Sequence, residues 1–243
     1  MNLLLNLKNK LAVVLSIVLV STLFAFVGTP VKAEAATDNV SFYYSDNYGF
    51  YHGGVENDIY IKVKNIAYDK NVVVHYKNAD DDTWYDCSAT YVKSLNNGEE
   101  IWVARITNFG TGVENFCIKY EVNGETYWDN NSGSNYSITD TLGVAPIHVI
   151  RSPYYGDGNP KVTLKNYGYE KTVKVIYTVD DWSTQGSYEL EYEKTLENGN
   201  EIWNGDVPSE IKGKTIEYYI SYTVNGQTYY DSNFGENYSC YTY

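Results

Sequence analysis

The feature that most constrains this chain is that it repeats itself. The stretch VKNIAYDKNVVVHY, residues 63 to 76, lies over LKNYGYEKTVKVIY, residues 164 to 177, at an offset of 101 without a gap. NNGEEIW, ending at Trp102, matches ENGNEIW, ending at Trp203, at the same offset, and KYEVNGETYWDNN from Lys119 follows SYTVNGQTYYDSN from Ser221 at 102. A segment copied in tandem must carry its own core, so whatever one copy folds into occurs twice. The first copy is expected over 37–140 and the second over 143–243, joined by the short stretch TLGVAP at 141–146.

Within each copy the hydrophobic period is two. In DIYIKVKN, Ile59, Ile61 and Val63 share one face while Tyr60, Lys62 and Lys64 share the other, the pattern of a strand half buried in an antiparallel sheet. NFCIKYEV repeats it with Phe116, Ile118, Tyr120 and Val122 inward. Asn-Gly pairs at 97/98, 123/124, 198/199 and 225/226 are hairpin turn signals. Short strands punctuated by turns about every ten residues predict an all-β chain: two tandem antiparallel β-sandwich modules of immunoglobulin-like type.

Residues 1–36 read as a signal peptide. Lys8 and Lys10 precede an apolar run from Leu11 to Gly28, and VKAEAA at 31–36 offers small-residue cleavage sites. The run also approaches the length of a membrane span, an alternative that the directly following small-residue site argues against. Cleavage after Ala33 would remove three lysines and no acid, leaving 31 acids against 15 bases, a net charge of −16. So acidic an exported chain is repelled by nucleic acid and anionic lipid. Cys87, Cys117 and Cys240 are too few and too irregular for a disulfide framework, with two readings open: a Cys87–Cys117 bridge, or buried and free thiols.

No catalytic constellation stands out. Glycoside hydrolysis needs two carboxyls flanking one bond, whereas Asp80, Asp81 and Asp82 form one run and Asp180 and Asp181 another, read here as solvated loops. His52, His75 and His148 show no metal-ligand spacing and no nucleophile partner. No cofactor, metal or enzymatic activity is expected.

The aromatic content is the stronger signal. With 27 Tyr, 5 Trp and 7 Phe, the chain has more rings than two small cores accommodate, so many must lie at the surface. An exposed ring offers a flat apolar face to the flat C–H face of a pyranose. YWDNNSGSNY at 127–136 joins such a ring, Trp128, to the amides of Asn130, Asn131 and Asn135, which can donate to and accept from sugar hydroxyls. The same composition also makes a tight turn whatever its purpose.

These motifs, with VKNIAYDK, the acidic turn ending in Trp and the closing NY, resemble the starch-binding carbohydrate-binding modules of family twenty-one. That group includes the amino-terminal module of fungal glucoamylases and the glycogen-targeting subunits of protein phosphatase one. The resemblance implies a β-sandwich with two surface sites for α-glucan and no cleavage. One site would use Trp182, Tyr219 and Tyr230 in the second copy and Trp84, Cys117 and Trp128 in the first, where Cys117 replaces a ring and leaves the platform weaker, rearranged or tied to Cys87. The other would use Asn65, Tyr68 and Lys70, and Asn166, Tyr169 and Lys171; the loop amides carry over as Asn130 and Asn135 in the first copy but only as Asn237 in the second, where Ser232 and Phe234 replace polar positions or their neighbours and Asn233 stands opposite Asn131. Strand packing for the tyrosines and plain solvation for the lysines are the alternative readings.

The expectation is therefore a secreted, extracellular, monomeric protein that binds starch, glycogen or malto-oligosaccharides beside separate amylases, not nucleic acid. A phosphatase-targeting role is disfavoured by the export signal and by the lack of a basic-Val-x-Phe motif. A structural or adhesive surface protein, with Trp84, Trp128 and Trp182 in its core, is the alternative.

Overall fold

The computed structural model describes residues 39–50, 53–109, 111–150 and 159–243, so the expected signal peptide lies outside it. Among the described residues there is no α-helix, only strands and three single 3-10 turns. The first repeat contributes β1 (Val40–Phe50), β2 (Gly54–Lys64), β3 (Lys70–Asn78), β4 (Trp84–Ser88), β5 (Thr90–Ser94), β6 (Glu99–Phe109), β7 (Val113–Val122), β8 (Glu125–Asp129) and β9 (Tyr136–Ser137). They form two antiparallel sheets, ordered β1-β2-β6-β5 and β4-β3-β7-β8, with β9 also on β7.

The second repeat contributes β10 (Ile147–Val149), β11 (Val162–Leu164), β12 (Lys171–Thr178), β13 (Gly186–Glu189), β14 (Glu191–Thr195), β15 (Glu201–Asn204), β16 (Thr215–Val224), β17 (Gln227–Asp231) and β18 (Tyr238–Tyr241). Its sheets have the same order: β10-β11-β15-β14 and β13-β12-β16-β17, with β18 on β16.

Alternation decides what each strand buries. Ile59, Ile61 and Val63 face Val72, Val74, Phe116, Ile118 and Tyr120 in the first core, while Val173, Val175, Ile216, Ile220 and Tyr222 dominate the second. The β7–β8 turn has φ of 54° at Asn123 and 79° at Gly124, and the β16–β17 turn has 52° at Asn225 and 77° at Gly226. Positive φ at both central residues twists the hairpin in the sense that the strands require.

The same alternation settles the cysteines, all three of which are free. Cys87 pairs with Val74 and so shares the core face, whereas Cys117 pairs with His75 on the outer face, with β3 between their strands. A Cys87–Cys117 bridge would have to pass through the sheet.

Tyr60, expected on a solvated face, is buried because the second module covers it. Tyr60 clusters with Tyr44, Ile101, Val103, Leu142 and Ala145, and Phe234 of the second module packs on them. The junction is no free tether either: it runs along β1, with Ser45 N donating to Thr141 O at 3.1 Å, Gly143 N to Tyr43 O at 3.0 Å and Val144 N to Phe42 O at 2.8 Å. A Cβ on Gly143 would stand 2.0 Å from Phe42 O, so only glycine lies that close to the strand.

Candidate functional site

In the second module the outer face of β12, β16 and β17 carries a strip of rings. Tyr219 on β16 is 5.6 Å from Trp182 and 6.2 Å from Tyr230, centroid to centroid, and Tyr230 is 63% exposed. Three residues widely spaced in sequence thus become one surface. Trp182 reaches it from the β12–β13 loop, where Asp181 and Trp182 take φ of 54° and 65°. Asp180 holds that unusual turn: its carboxylate accepts from Thr184 N at 2.9 Å, Thr184 Oγ1 at 2.7 Å and Thr178 Oγ1 at 2.8 Å, and Thr178 Oγ1 accepts from Trp182 N at 3.1 Å. These donors hold the Asp180 carboxyl below its usual range, the Thr184 backbone N–H foremost. Asp180 is therefore a turn staple beneath the tryptophan rather than idle loop surface. So is Asp81, which accepts from Thr83 N at 2.8 Å and from the Tyr85 hydroxyl just after Trp84.

The first module builds its strip differently. Trp84 is the first residue of β4, not a loop residue, and it is 36% exposed. Its register partner is Lys77, whereas Gly186 occupies the position of Tyr85 in the second module. The loop before the strand spans residues 79–83 in one module and 179–185 in the other, which is why the two tryptophans are out of step in sequence. Where Tyr219 stands in the second module, Cys117 lies buried, and burial, then the charges of Asp129 and Asp86, push its thiol up to about 11. The gap is filled from the neighbouring strand: His75 stacks on Trp84 at 4.8 Å and 13° and meets Trp128 edge-on at 6.3 Å. His75 has neither metal-ligand spacing nor a nucleophile partner in the sequence, so only the fold reveals its place in the strip.

The asparagine-rich loops have a structural reason for their shape. Asp129 Oδ2 accepts from Phe42 N at 2.7 Å and both its oxygens accept from Tyr136 Oη; Asp231 likewise accepts from Val149 N at 2.8 Å and Tyr238 Oη at 2.7 Å. Each aspartate ties the opening strand of its module to the closing tyrosine. Asn130 Oδ1 accepts from Gly133 N at 3.0 Å, and Ser232 Oγ accepts from Gly235 N at 3.1 Å. Serine thus does the work of asparagine in capping the turn. Asn131 Nδ2 donates to Asn135 O at 3.0 Å and Asn233 Nδ2 to Asn237 O at 3.1 Å. So Asn130, Asn131 and Asn233, expected at a sugar-facing rim, spend one end of each amide or its hydrogen bonds on the turn itself.

Asn237 donates to Glu217 Oε1 at 2.9 Å. That carboxylate, kept below the usual glutamate range by the Trp182 indole N–H and then by Asn237, edges the second strip. Asn115 stands in its place beside Asn135 in the first module, where Asn115 pairs with Ser137 as Glu217 pairs with Ser239. Phe234 does not face the strip: it packs on Tyr44, 5.9 Å away and nearly parallel, across the module junction.

A second cluster occurs identically in both copies. Tyr68 and Tyr169 stand in the β2–β3 and β11–β12 loops and are fully exposed. Lys70 and Lys171, expected as either ligands or solvated charges, are not solvated: their side chains are 3% and 4% exposed. Lys70 Nζ donates to Asn65 Oδ1 and, at 2.8 Å, to Glu100 Oε2, which also accepts from Trp102 Nε1 at 3.0 Å. Lys171, Asn166, Glu201 and Trp203 repeat the network at 2.6, 2.8 and 2.8 Å. An ammonium only donates, so each lysine fixes the asparagine carbonyl inward and turns its NH₂ outward. Glu100 and Trp102 were visible in the repeated EIW, but only as a repeat signature. Beside them, Tyr91 and Tyr192, both exposed, meet Trp102 and Trp203 edge-on at 5.9 and 6.1 Å.

Chemically, these surfaces offer flat rings, amide N–H groups and little that transfers protons. Asp58, raised to about 6 chiefly by burial, contacts Arg105 at 3.5 Å and lies opposite Asp46 in the β1–β2 pair. No group of residues suited to a metal ion exists among the described residues.

A family model described as the carbohydrate/starch-binding module (family 21) matches residues 59–139 and 158–241. The chain is 35% identical over 99 residues to Glucoamylase 1 of Rhizopus oryzae, covering 39% of this chain and 16% of that enzyme. It is 34% identical over 82 residues to protein phosphatase 1 regulatory subunit 3B of Homo sapiens, covering 32% of this chain and 29% of that protein. Only a minor part of either relative is thus matched. Among solved structures, the starch binding domain of Rhizopus oryzae glucoamylase, in complex with beta-cyclodextrin and maltoheptaose, is 29% identical with a TM-score of 0.33, over 46% of this chain and 97% of that one.

Proposed function

Because the chain belongs to the carbohydrate/starch-binding module family 21, we propose that it is a secreted, non-catalytic protein that holds α-glucan on paired surfaces of each module. The observation that carries this reading is the continuous strip of Trp182, Tyr219 and Tyr230, with centroids 5.6 and 6.2 Å apart, on the outer face of a sheet whose inner face is fully packed. A helical glucose chain presents successive C–H faces to such a strip, and stacking removes water from both. Asn65 and Asn166, each with an NH₂ turned outward beside an exposed tyrosine, supply the hydrogen bonds of a second surface.

A surface protein that had lost sugar binding would have sunk these rings into its cores; Trp84, Trp128 and Trp182 belong to neither core. Secretion rests on the N-terminal apolar run alone. The partners in this reading are starch, glycogen and malto-oligosaccharides, with separate amylases acting on the held polymer.

Native gel electrophoresis in amylose, amylopectin, glycogen and cellulose tests it, with Trp182→Ala and Trp128→Ala beside the parent. Retardation by the α-glucans alone, weakened in each variant, is the expected result. Equal mobility in all gels rejects the reading.

A further inference from the structure

We propose that His75 is a glucan-binding residue: the middle ring of the first module's platform, standing in from β3 for the ring that Cys117 lacks on β7. The inference rests on the α-glucan reading and deepens it. His75 and Cys117 are direct register partners on neighbouring strands, as are Ile176 and Tyr219 in the second module. In each pair one residue brings a ring and the other a compact side chain, but the ring has changed strands. Both positions point to the outer face, so either can furnish the centre of the same strip.

The geometry is specific. His75 lies nearly parallel to Trp84, 4.8 Å away, and 81° to Trp128 at 6.3 Å, so it touches both rings that flank it. Asp86, opposite it on β4, binds Nδ1 at 2.6 Å and fixes the ring plane. That leaves Nε2 as a polar edge within an otherwise apolar strip. The side chain remains 34% exposed, so a bound glucose unit could reach it.

The test uses the full chain carrying Tyr68→Ala, Tyr169→Ala and Trp182→Ala, which leaves the first module's platform as the remaining strong surface. Binding of maltoheptaose is measured by calorimetry and of amylopectin by gel retardation, with thermal unfolding followed for every variant. In this background His75→Ala is expected to weaken binding at least tenfold, about 1.4 kcal/mol. His75→Phe, which keeps a ring, is expected to stay within about threefold of the background. The double variant His75→Ile with Cys117→Tyr, which recreates the arrangement of the second module, is expected to do the same. If the alanine variant fails to fold, His75→Leu against His75→Phe carries the comparison, since both fill the space and only one is a ring.

Unchanged binding in His75→Ala, or no rescue by the double variant, overturns the proposal while retardation of the unmodified chain leaves the α-glucan reading standing. Loss of all binding in the triple background alone also overturns it. Should the unmodified chain bind no α-glucan, both fall together.

Discussion

His148 and Asp46 meet across the module junction, Nε2 to Oδ1 at 2.6 Å, with both side chains almost fully buried. Asp231 approaches the other ring nitrogen at 3.5 Å, and Tyr44 stacks on the imidazole at 3.7 Å. Burial alone pulls the His148 pKa down, yet the Asp231 and Asp46 carboxylates outweigh it and hold it at about 9. In Asp231, burial pushes up but His148 prevails, keeping the carboxyl below its usual range.

The sign of the pH dependence follows. A folded-state pKa raised above the ordinary histidine value of about 6.5 contributes stability that is fully present below that value and lost as pH rises through about 9. Asp231 contributes stability above the ordinary aspartate range and loses it as pH falls through its lowered pKa. Unfolding midpoints measured from pH 3 to 10 should therefore be highest just below about 6.5, fall progressively as pH rises from there to about 9, and level off above it. His148→Gln, which leaves two carboxylates without an ionic partner, should lower stability by about 3–5 kcal/mol and abolish that fall.

The junction itself gives a second prediction. A methyl group on Gly143 would collide with Phe42 O, which β1 cannot move without disturbing its bulge between Phe42 and Tyr44. Gly143→Ala should lift TLGVAP off the strand, expose the junction to protease and cost about 1–3 kcal/mol. Each module retains its own core, so limited proteolysis should release two fragments that resist further cutting.

How much of this was readable in advance depends on what covers each strand. Ile59, Ile61 and Val63 announced themselves because one face meets its own core, and the Asn-Gly turns because only certain residues adopt their φ. Trp182, Tyr219 and Tyr230 were found by resemblance, and the fold brings them together. Tyr60 falls on the solvated face by its local period, yet its cover includes Phe234 of the other module, which no local period encodes. Lys70 looked like surface since its burial depends on Glu100, thirty positions away. His75 was hidden for a similar reason: its meaning comes from Cys117 across the ladder, not from its neighbours in sequence.

Tyr68 and Lys70 lie two residues apart and should behave oppositely. The Tyr68 ring is fully exposed, so Tyr68→Ala should change stability by less than about 0.5 kcal/mol while weakening glucan retardation. Lys70→Ala strands Glu100 without its cation and should cost about 3–5 kcal/mol in the first module. Chemical denaturation alongside affinity electrophoresis separates the two, and Tyr169 and Lys171 should repeat the contrast.

Phe234 offers the sharpest comparison between the two loops. It takes φ of 57°, a conformation costly to a bulky side chain, and Ser132 takes the same φ at the matching place in the first module. The turn therefore needs no aromatic; the ring is there for Tyr44, Tyr43 and Tyr60, between 5.7 and 6.0 Å away. Lys93 holds the same spot from outside, donating to Phe234 O at 2.6 Å. Phe234→Ser should preserve the turn and relieve strain of about 1 kcal/mol, but it gives up packing worth about 3–5 kcal/mol for a buried aromatic, less here because Phe234 is only half-buried. The balance is a net loss, felt between the modules rather than within them. Small-angle scattering should show a more extended particle, and retardation by long amylose should weaken while binding of a short malto-oligosaccharide stays unchanged, because only a polymer reaching both modules senses their fixed spacing.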